Sequence, residues 1–588
     1  MPFFNPFHKH DHTTFHGVVI PLSSAPSHAR PESPAVEKKG NSNVKTDGSS
    51  LNKAPSQENG SAASIPECSH LTIEALRAEI ESDVAASGYD SAYDRKSKVI
   101  NRAIQDIGMG RYQWELFCLC GFGWLADNLW LQGVALTLPP VASEFGISTT
   151  QVRFTTCALF VGLCLGATIW GCLADVIGRR PAFNLTLFIC GAFGLATAGS
   201  PTWIGVCALF ACLGLGVGGN LPVDGALFLE FLPFASGNLL TMLSVWWPVG
   251  QVIASLIAWG FIPTYSCADN LPSCHKVGSG VACCGKGNNM GWRYFVLTMG
   301  ALTMVMFICR FFLFHLYESP KFLLARGRQD EAVAAVHGIA YKNKAKTWLT
   351  VDVLNEIGGY PEENQPQALS NREIIQRYLS KFSLDRVRPL FATKKLGITT
   401  VLLWFCWTTI GMGYPLFNAF LPQYLKNAGG STAPTSTYIT YRNYAITSIV
   451  GVPGSIIACY TVDIKYIGRK GTITFATLLT AILLFCFTTS TDSNIQLVCT
   501  CLEAFFQNIM YGVLYAYTPE VFPAPSRGTG TGIASCFNRI AGLCAPIVAV
   551  YGGAANPDAP IYAAGGLILA AFVAMCCLPI ETMGKQTL

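Results

Sequence analysis

The chain alternates long apolar runs with short polar breaks. Twelve runs are long enough to cross a bilayer as helices, which takes about 20 residues each. They fall at about 115–138, 151–173, 182–200, 203–228, 239–262, 294–316, 396–420, 443–462, 471–490, 495–517, 528–550 and 560–579. A polar stretch rich in Lys and Arg separates the first six from the last six. Before the first run, residues 1–65 are rich in Ser, Pro, Asn, His and Lys and show no hydrophobic period, which predicts a disordered tail. Leu71, Ile73, Leu76 and Ile80 then recur at helical spacing and predict a helical lead-in over 69–107, with Ser69 as its cap. The pattern divides the chain into a tail (1–65), a lead-in (66–113), a six-helix bundle (114–317), a connector (318–395), a second six-helix bundle (396–580) and a short tail (581–588).

Composition agrees with a membrane protein. Of the 588 residues, 51% are hydrophobic and 13% charged, against about 25% charged in soluble domains. The net charge of +5 is small and dispersed, which implies no nucleic-acid partner. Most of the 23 cysteines sit singly in apolar runs, as Cys157, Cys164 and Cys406 do, and there behave as small hydrophobes. Cys267, Cys274, Cys283 and Cys284 instead share one polar loop after the fifth run. Their spacing fits no common zinc pattern, so disulfides in an oxidising exterior are expected, with the pairing left open. His8, His10, His12 and His16 are read as part of a solvated low-complexity tail. No cofactor, metal or cleavable signal peptide is expected.

Charge and repetition orient the chain. Gly171-Cys-Leu-Ala-Asp175-Val-Ile-Gly178-Arg179-Arg180-Pro181 joins the second and third runs, and Asp463-Ile-Lys-Tyr-Ile-Gly468-Arg469-Lys470 joins the eighth and ninth. Glu230-Phe-Leu-Pro233 follows the fourth run, and Glu520-Val-Phe-Pro523 follows the tenth at nearly the same offset. Both Gly-Arg turns, the connector and Arg527 fall on one side, whereas the loops near 140–150, 491–494 and 552–559 carry no Lys or Arg. The positive-inside rule puts the basic side and both termini in the cytoplasm and the cysteine loop outside. Tyr112 and Trp114 suit the interface, and the Asn184-Leu-Thr186 acceptor pattern is discounted because it lies within a span.

The two Gly-Arg turns resemble the loop signature of the major facilitator superfamily, the second with two extra residues between Asp463 and Gly468. Tyr317-Glu318-Ser319-Pro320-Lys321 and Pro579-Ile-Glu581-Thr582-Met583-Gly584-Lys585 resemble the motifs that follow helices 6 and 12 in sugar porters. The paired glutamines of sugar porters are missing, and the lead-in from Val99 to Trp114 resembles the synaptic-vesicle-2-like branch and its fungal relatives. The resemblance implies an all-α fold of twelve transmembrane helices in two pseudo-symmetric six-helix bundles, with a central site exposed alternately to each side. It also implies that Asp175, Gly178, Arg179, Arg180, Glu230, Asp463, Gly468, Arg469, Glu520 and Arg527 act in cytoplasmic gating; Asp224 is grouped with them. Ser236 stands where the family has an arginine, which weakens that latch in the first half.

Ionisable groups at bilayer depth are costly and point to function. Asp127 lies near the middle of the first run and, as a buried carboxylate able to gain and lose a proton, is the candidate for proton coupling. Arg539, at similar depth in the eleventh run, keeps its charge and needs an anion: a substrate carboxylate or a protein one, with Glu503 the best placed. Glu503 is the second proton-coupling candidate. Asn128, Asn220, Gln251, Asn418, Gln507, Asn508 and Asn538 supply amides, and Trp246, Trp247, Trp404, Trp407, Tyr511 and Tyr515 supply aromatic faces. Such a mixture suits sugars, polyols or aromatic acids.

The sequence therefore predicts a secondary active transporter of a small organic solute, coupled to protons, in the plasma membrane and acting as a monomer. A receptor that keeps the fold without transporting is the alternative. No nucleotide loop, metal-ligand spacing or serine elbow points to an enzyme.

Overall fold

The computed structural model describes residues 15, 17–24, 72–87, 92–233, 238–268, 271–277, 281–360, 387–427, 436–462, 464, 467–490, 492–522, 527–553, 556 and 558–581. Among them the chain is helical, apart from two isolated bridges, Val19 with Thr347 and Ser273 with Cys284. Twelve spans cross the molecule in succession. Spans 1 to 6 are Arg111–Phe145, Phe154–Ile177, Arg179–Thr197, Trp203–Phe231, Trp246–Tyr265 and Gly291–Ile308. Spans 7 to 12 are Lys394–Asn418, Thr437–Thr461, Gly468–Thr489, Ser493–Val521, Arg527–Gly552 and Ala559–Cys576. Nine helices among the described residues meet the length and apolarity of a membrane crossing. Spans 1, 3 and 5 fall short because each carries polar or aromatic groups that face other helices. Asp127 and Gln132 of span 1 and Asn184 of span 3 are buried.

The two halves repeat one packing scheme. Span 2 packs on span 4, span 3 on spans 4 and 6, and span 1 on span 5. Six spans later, span 8 packs on span 10, span 9 on spans 10 and 12, and span 7 on span 11. The halves meet where span 5 lies on span 8 and span 2 on span 11, and these two contacts exchange under the same half-turn. Small residues set the closeness of the helices, since lipid gives no hydrophobic drive for association. Gly162 and Gly166 of span 2 face the backbone of span 4, where an added Cβ would lie 2.0 Å from the Ala211 carbonyl oxygen and 2.3 Å from that of Leu215. Gly454 of span 8 repeats this against Phe505 of span 10, at 2.3 Å.

Helix ends depart from the predicted runs where backbone chemistry intervenes. The fifth run is broken into Asn238–Leu243 and Trp246–Tyr265. Pro248 has no N–H, and the break places it in a first turn, where none is needed. Span 6 ends in a π turn, Cys309–Leu313, that carries Arg310 inward. The turns 178 and 468 and the connector share one side, here the turn face. The cysteine loop lies on the other, the disulfide face, where Cys267 pairs with Cys284 and Cys274 with Cys283.

On the turn face, helices Ile73–Ser87, Ala92–Ile107, Pro320–Ala325, Gln329–Lys342 and Val351–Gly358 share a core built on Ile100, Ile104, Val336 and Leu354. The lead-in is thus two helices rather than one, the first capped by Thr72, which accepts from the Ala75 N–H at 3.2 Å. Ser69 and the four tail histidines lie outside the described residues. The expectation of a disordered tail does not hold for residues 17–24. Val18 is buried, and Ile20 and Thr347 donate N–H groups to Thr347 and Val18 carbonyls at 3.0 Å each. Tyr112, expected at the interface, is buried against Phe231 and Tyr317, while Trp114 is exposed.

Candidate functional site

The polar groups at mid-depth converge between the halves. Asp127 and Asn128 of span 1 are 5% and 8% exposed, and Glu503 of span 10 is 1% exposed. Gln251 of span 5 donates its amide to Asn128 Oδ1 at 2.9 Å and to the Tyr414 hydroxyl of span 7 at 3.2 Å, so one side chain ties three spans from both halves. Asn418, one turn beyond Tyr414, donates to Gln507 Oε1 at 3.1 Å. Glu503, Gln507 and Tyr511 repeat every fourth residue and so share one face of span 10.

Glu503, expected to be the best-placed protein carboxylate for Arg539, is not the one it acts on. Arg539 of span 11 acts electrostatically on Asp127 of span 1 and on Tyr515. Its Nη1 also donates to the Leu163 carbonyl of span 2 at 3.5 Å. Helical order along the sequence does not fix which faces of two distant spans meet, and the half-turn between the bundles brings span 11 to span 2 and the Asp127 side. The Asn418 amide donates one N–H to Gln507 and its side chain also acts on Glu503, whose oxygens close no other hydrogen bond among the described residues.

Rings lie between this group and the turn face. Trp124 stacks on Trp247 with centroids 4.6 Å apart, Trp247 meets Tyr515 at 4.6 Å, and Trp407 meets Tyr515 edge-on at 4.6 Å. Toward the disulfide face, hydrogen bonds cross between halves. Ser255 and Ser448 are 2.8 Å apart, and the Tyr441 hydroxyl donates to the Leu136 carbonyl at 2.6 Å. Arg153 donates to Gln423 Oε1 at 3.0 Å and to the Ala549 carbonyl at 2.7 Å, beneath the Phe420 ring.

Other predicted site residues lie elsewhere. Trp246 packs against Gly121 and Phe117 within the first half. Trp404 donates to the Gly530 carbonyl at 3.1 Å within the second. Asn508 bonds back to its own helix at Ala504, at 2.8 Å, and Asn538 fills the crossing beside Gly411. Asn220 is buried in span 4 with neither amide atom partnered among the described residues.

The turn face carries two matching latches. Arg179 meets Glu230 at 3.4 Å and Arg469 meets Glu520 at 2.6 Å. Glu318 accepts the N–H groups of Arg179 and Arg180 at 3.0 and 3.2 Å, and Glu581 accepts those of Arg469 and Lys470 at 3.2 and 3.1 Å. Each carboxylate thereby satisfies the exposed donors at a helix start. Gly178 and Gly468 have positive φ, +112° and +61°, which a side chain would strain, and a Cβ there would press on Glu318 and Glu581 respectively. The side chains of Asp175 and Arg527, and Asp463 and Ser236 altogether, lie outside the described residues.

Sequence reasoning missed several buried groups. Asp224 is not in the latch: its Oδ2 pairs with Arg310 Nη2 at 2.9 Å, both side chains fully buried. Arg310 also donates to the Leu119 and Phe183 carbonyls and lies over the Phe183 ring at 3.5 Å. On the disulfide face Glu144 pairs with Arg293 at 2.7 Å and accepts from Trp292 Nε1 at 2.7 Å. Charges inside or at the ends of apolar runs were the available signal for both pairs. Tyr414 and Tyr444 gave no signal, because a lone ring in an apolar run reads as packing.

Two related six-helix bundles around one buried polar group define a multi-pass membrane transporter. The chain belongs to the Major Facilitator Superfamily, whose family model matches residues 117–465 and 443–587; this is a family of transporters, not of enzymes. It is 44% identical to "MFS siderochrome iron transporter 1" of Ceriporiopsis subvermispora, over 85% of this chain and 93% of that one. It is 38% identical to "Major facilitator-type transporter hxnZ" of Emericella nidulans, over 87% and 91%. It is 26% identical to a synaptic vesicle 2-related protein of Xenopus laevis, over 83% and 82%. The proton:xylose symporter XylE shares the fold, with a TM-score of 0.58 and 17% identity over 81% of this chain and 98% of that one.

Proposed function

We propose that the chain is a proton-coupled carrier of a small organic solute, working by alternating access around the Asp127–Arg539–Glu503 group. The observation that carries this reading is the burial of two carboxylates at the seam between the halves, with the half-buried Arg539 acting on one of them. A charge placed there, away from water, costs several kcal/mol. Such a group answers a change of charge, by proton or by solute, with a change in how the halves pack. Asp127 interacts electrostatically with Arg539 of the opposite half, so protonating Asp127 weakens an attraction between the halves on that side. The four rings and the two latches then act as the gate on the turn face. The basic turns and connector support the cytoplasm as the side of that face, the disulfides support the exterior as the side of the other, and the plasma membrane is the membrane proposed. The protein works as a monomer, since each bundle finds its partner within the chain.

The test is flux in proteoliposomes with a panel of labelled sugars, polyols, organic acids, organic cations and a siderochrome, with and without an imposed pH gradient. Movement driven by the gradient in wild type, and reduced to passive exchange in Asp127→Asn, is the expected result. Equal flux in the variant would remove Asp127 from the coupling step. Binding of a panel member without any flux would favour a receptor that retains the fold.

A further inference from the structure

We propose that Glu503 and the tyrosines around it form the binding site for a monovalent organic cation, the ammonium of the carried solute. This rests on the reading of the mid-depth group as the translocation site and names the class of solute it takes.

The first argument is charge. The group holds two carboxylates and one guanidinium. Arg539 acts electrostatically on Asp127, across the seam, and is not among the groups that act on Glu503. Among the described residues no cation answers Glu503, and its oxygens, with the Asn418 amide nearby, close no other hydrogen bond, in a position 1% exposed. A carboxylate so placed is balanced by a proton or by a bound cation. An anionic solute would meet it as a like charge.

The second argument is shape. Tyr414, Tyr444 and Tyr511, from spans 7, 8 and 10, each interact electrostatically with Glu503. Tyr414 and Tyr511 stand nearly perpendicular, 83° apart with centroids at 5.4 Å, so two ring faces meet as adjoining walls. The Tyr444 hydroxyl has no partner among the described residues although the residue is 1% exposed. Ring faces carry negative charge density and attract a poorly hydrated cation, and a carboxylate interacting with the same three tyrosines adds a full charge. A narrow cleft lined by Gln132, Phe160, Tyr414 and Asn418 adjoins these rings. The amides of Gln251 and Asn418, already anchored, leave the ammonium to Glu503 and the rest of the solute to the side of this cleft.

The cage also accounts for coupling. Arrival of one monovalent cation with departure of one proton from the Glu503 carboxyl leaves the charge of the seam unchanged. Cation and proton thus exclude each other at one group.

The experiment is equilibrium binding to the full chain in detergent, using choline, tetraethylammonium and benzyltrimethylammonium. The comparators are 3,3-dimethylbutan-1-ol, the uncharged isostere of choline, and benzoate. At least one cation is expected to bind, with the isostere at least about tenfold weaker and benzoate not competing. Glu503→Gln, which keeps size and removes charge, should weaken cation binding about tenfold or more. Tyr444→Leu should weaken it several-fold while Tyr444→Phe, which keeps the ring, retains it. The phenylalanine variant guards against misfolding as the cause. Binding of none of the three cations, equal binding of the isostere, or undiminished binding by a folded Glu503→Gln protein would each overturn the proposal. Because no flux is measured, cation binding without transport would count only against the transport reading. Gradient-driven flux of a sugar or an acid with no cation binding would count only against this one.

Discussion

Glu520 meets Arg469 at 2.6 Å at the turn-face end of span 10. The same pair recurs in the first half as Glu230 with Arg179, at 3.4 Å. In both halves the arginine opens the helix after a Gly-Arg turn, and the glutamate closes the helix packed against it. Each pair therefore fixes the spacing of two spans at the face where the central group would open. Both pairs are partly solvated, so each contributes roughly 1 kcal/mol. Glu520→Gln should speed hydrogen exchange of the segment 514–521 about fivefold, which is that energy as an equilibrium factor. Exchanging the charges, Arg469→Glu with Glu520→Arg, should restore much of the protection. Unchanged exchange in Glu520→Gln would mean that the pair does not hold the face closed.

Glu318 has a second, pH-dependent role. Burial pushes its carboxyl above the usual range, although three backbone N–H groups and the opposing trend they impose favour its ionised form. A carboxyl raised in the folded state holds its proton there more tightly than in the unfolded chain. Its contribution to stability is therefore greatest below the ordinary glutamate range and falls as pH rises through the folded value. Thermal melts of wild type and Glu318→Gln between pH 4 and pH 7 should show a wild-type advantage that shrinks as pH rises. A difference in melting temperature that is flat or grows with pH would contradict this. At any pH the glutamine variant should melt lower, because one acceptor at the start of span 3 is lost, a change of about 1 kcal/mol.

The cysteine loop is bound to the bundle through more than its disulfides. Ser273 donates its hydroxyl to the Glu144 carbonyl, the Cys284 N–H bonds to the Pro272 carbonyl at 2.8 Å, and Cys284 is fully buried. Glu144 in turn pairs with Arg293, so the loop, the end of span 1 and the start of span 6 form one unit. Opening the Cys267–Cys284 bridge, which closes 17 residues, should cost about 3 kcal/mol. Opening Cys274–Cys283, which closes 9, should cost less. Melts of Cys267→Ser with Cys284→Ser, against Cys274→Ser with Cys283→Ser, decide the order. Equal losses would mean that the loop is held by its hydrogen bonds and not by chain closure.

The span pattern was legible because lipid demands long apolar runs and the two halves repeat their turns. Gly178 with Arg179 and Gly468 with Arg469 mark the repeat, and Glu230 and Glu520 recur at nearly the same offset. The site was legible as a set of residue types. Asp127, Asn128, Gln251, Asn418, Glu503, Gln507 and Tyr511 do come together. Their pairing was not legible. Which face of span 11 meets which face of span 1 depends on the relation between bundles, and no local period encodes it; hence the sequence leaves a substrate carboxylate or Glu503 open as the partner of Arg539, which acts instead on Asp127. Trp246 looks like Trp247 in sequence, yet a rotation of about 100° per residue turns it to Phe117 and Gly121; Trp404, about 60° round from Trp407, meets Gly530 of span 11, whereas Trp407 meets Thr518 of span 10. The docking of Val18 beside Thr347 was hidden for a different reason: a single bridging segment has no period to read.

The Asp224–Arg310 pair gives the strongest mutational prediction. Both groups are fully buried, and Gly123 makes room for them: a Cβ there would lie 1.7 Å from Asp224 Oδ2. Arg310 places its other donors on the Leu119 and Phe183 carbonyls, so one guanidinium joins spans 1, 3, 4 and 6. Removing one partner leaves an uncompensated charge in the bundle, at roughly 3–5 kcal/mol, whereas replacing both by apolar groups of similar volume is often close to neutral. Asp224→Leu alone and Arg310→Met alone should therefore give little monodisperse protein by size-exclusion chromatography. Asp224→Leu with Arg310→Met should recover much of the wild-type yield. Gly123→Ala should fail as the single variants do, because the added methyl displaces the carboxylate. If the double variant folds well, its transport then separates structure from function. Wild-type flux would make the pair a fastener of the first bundle, and lost flux in a well-folded protein would place it in the cycle itself, one turn of span 1 from Asp127.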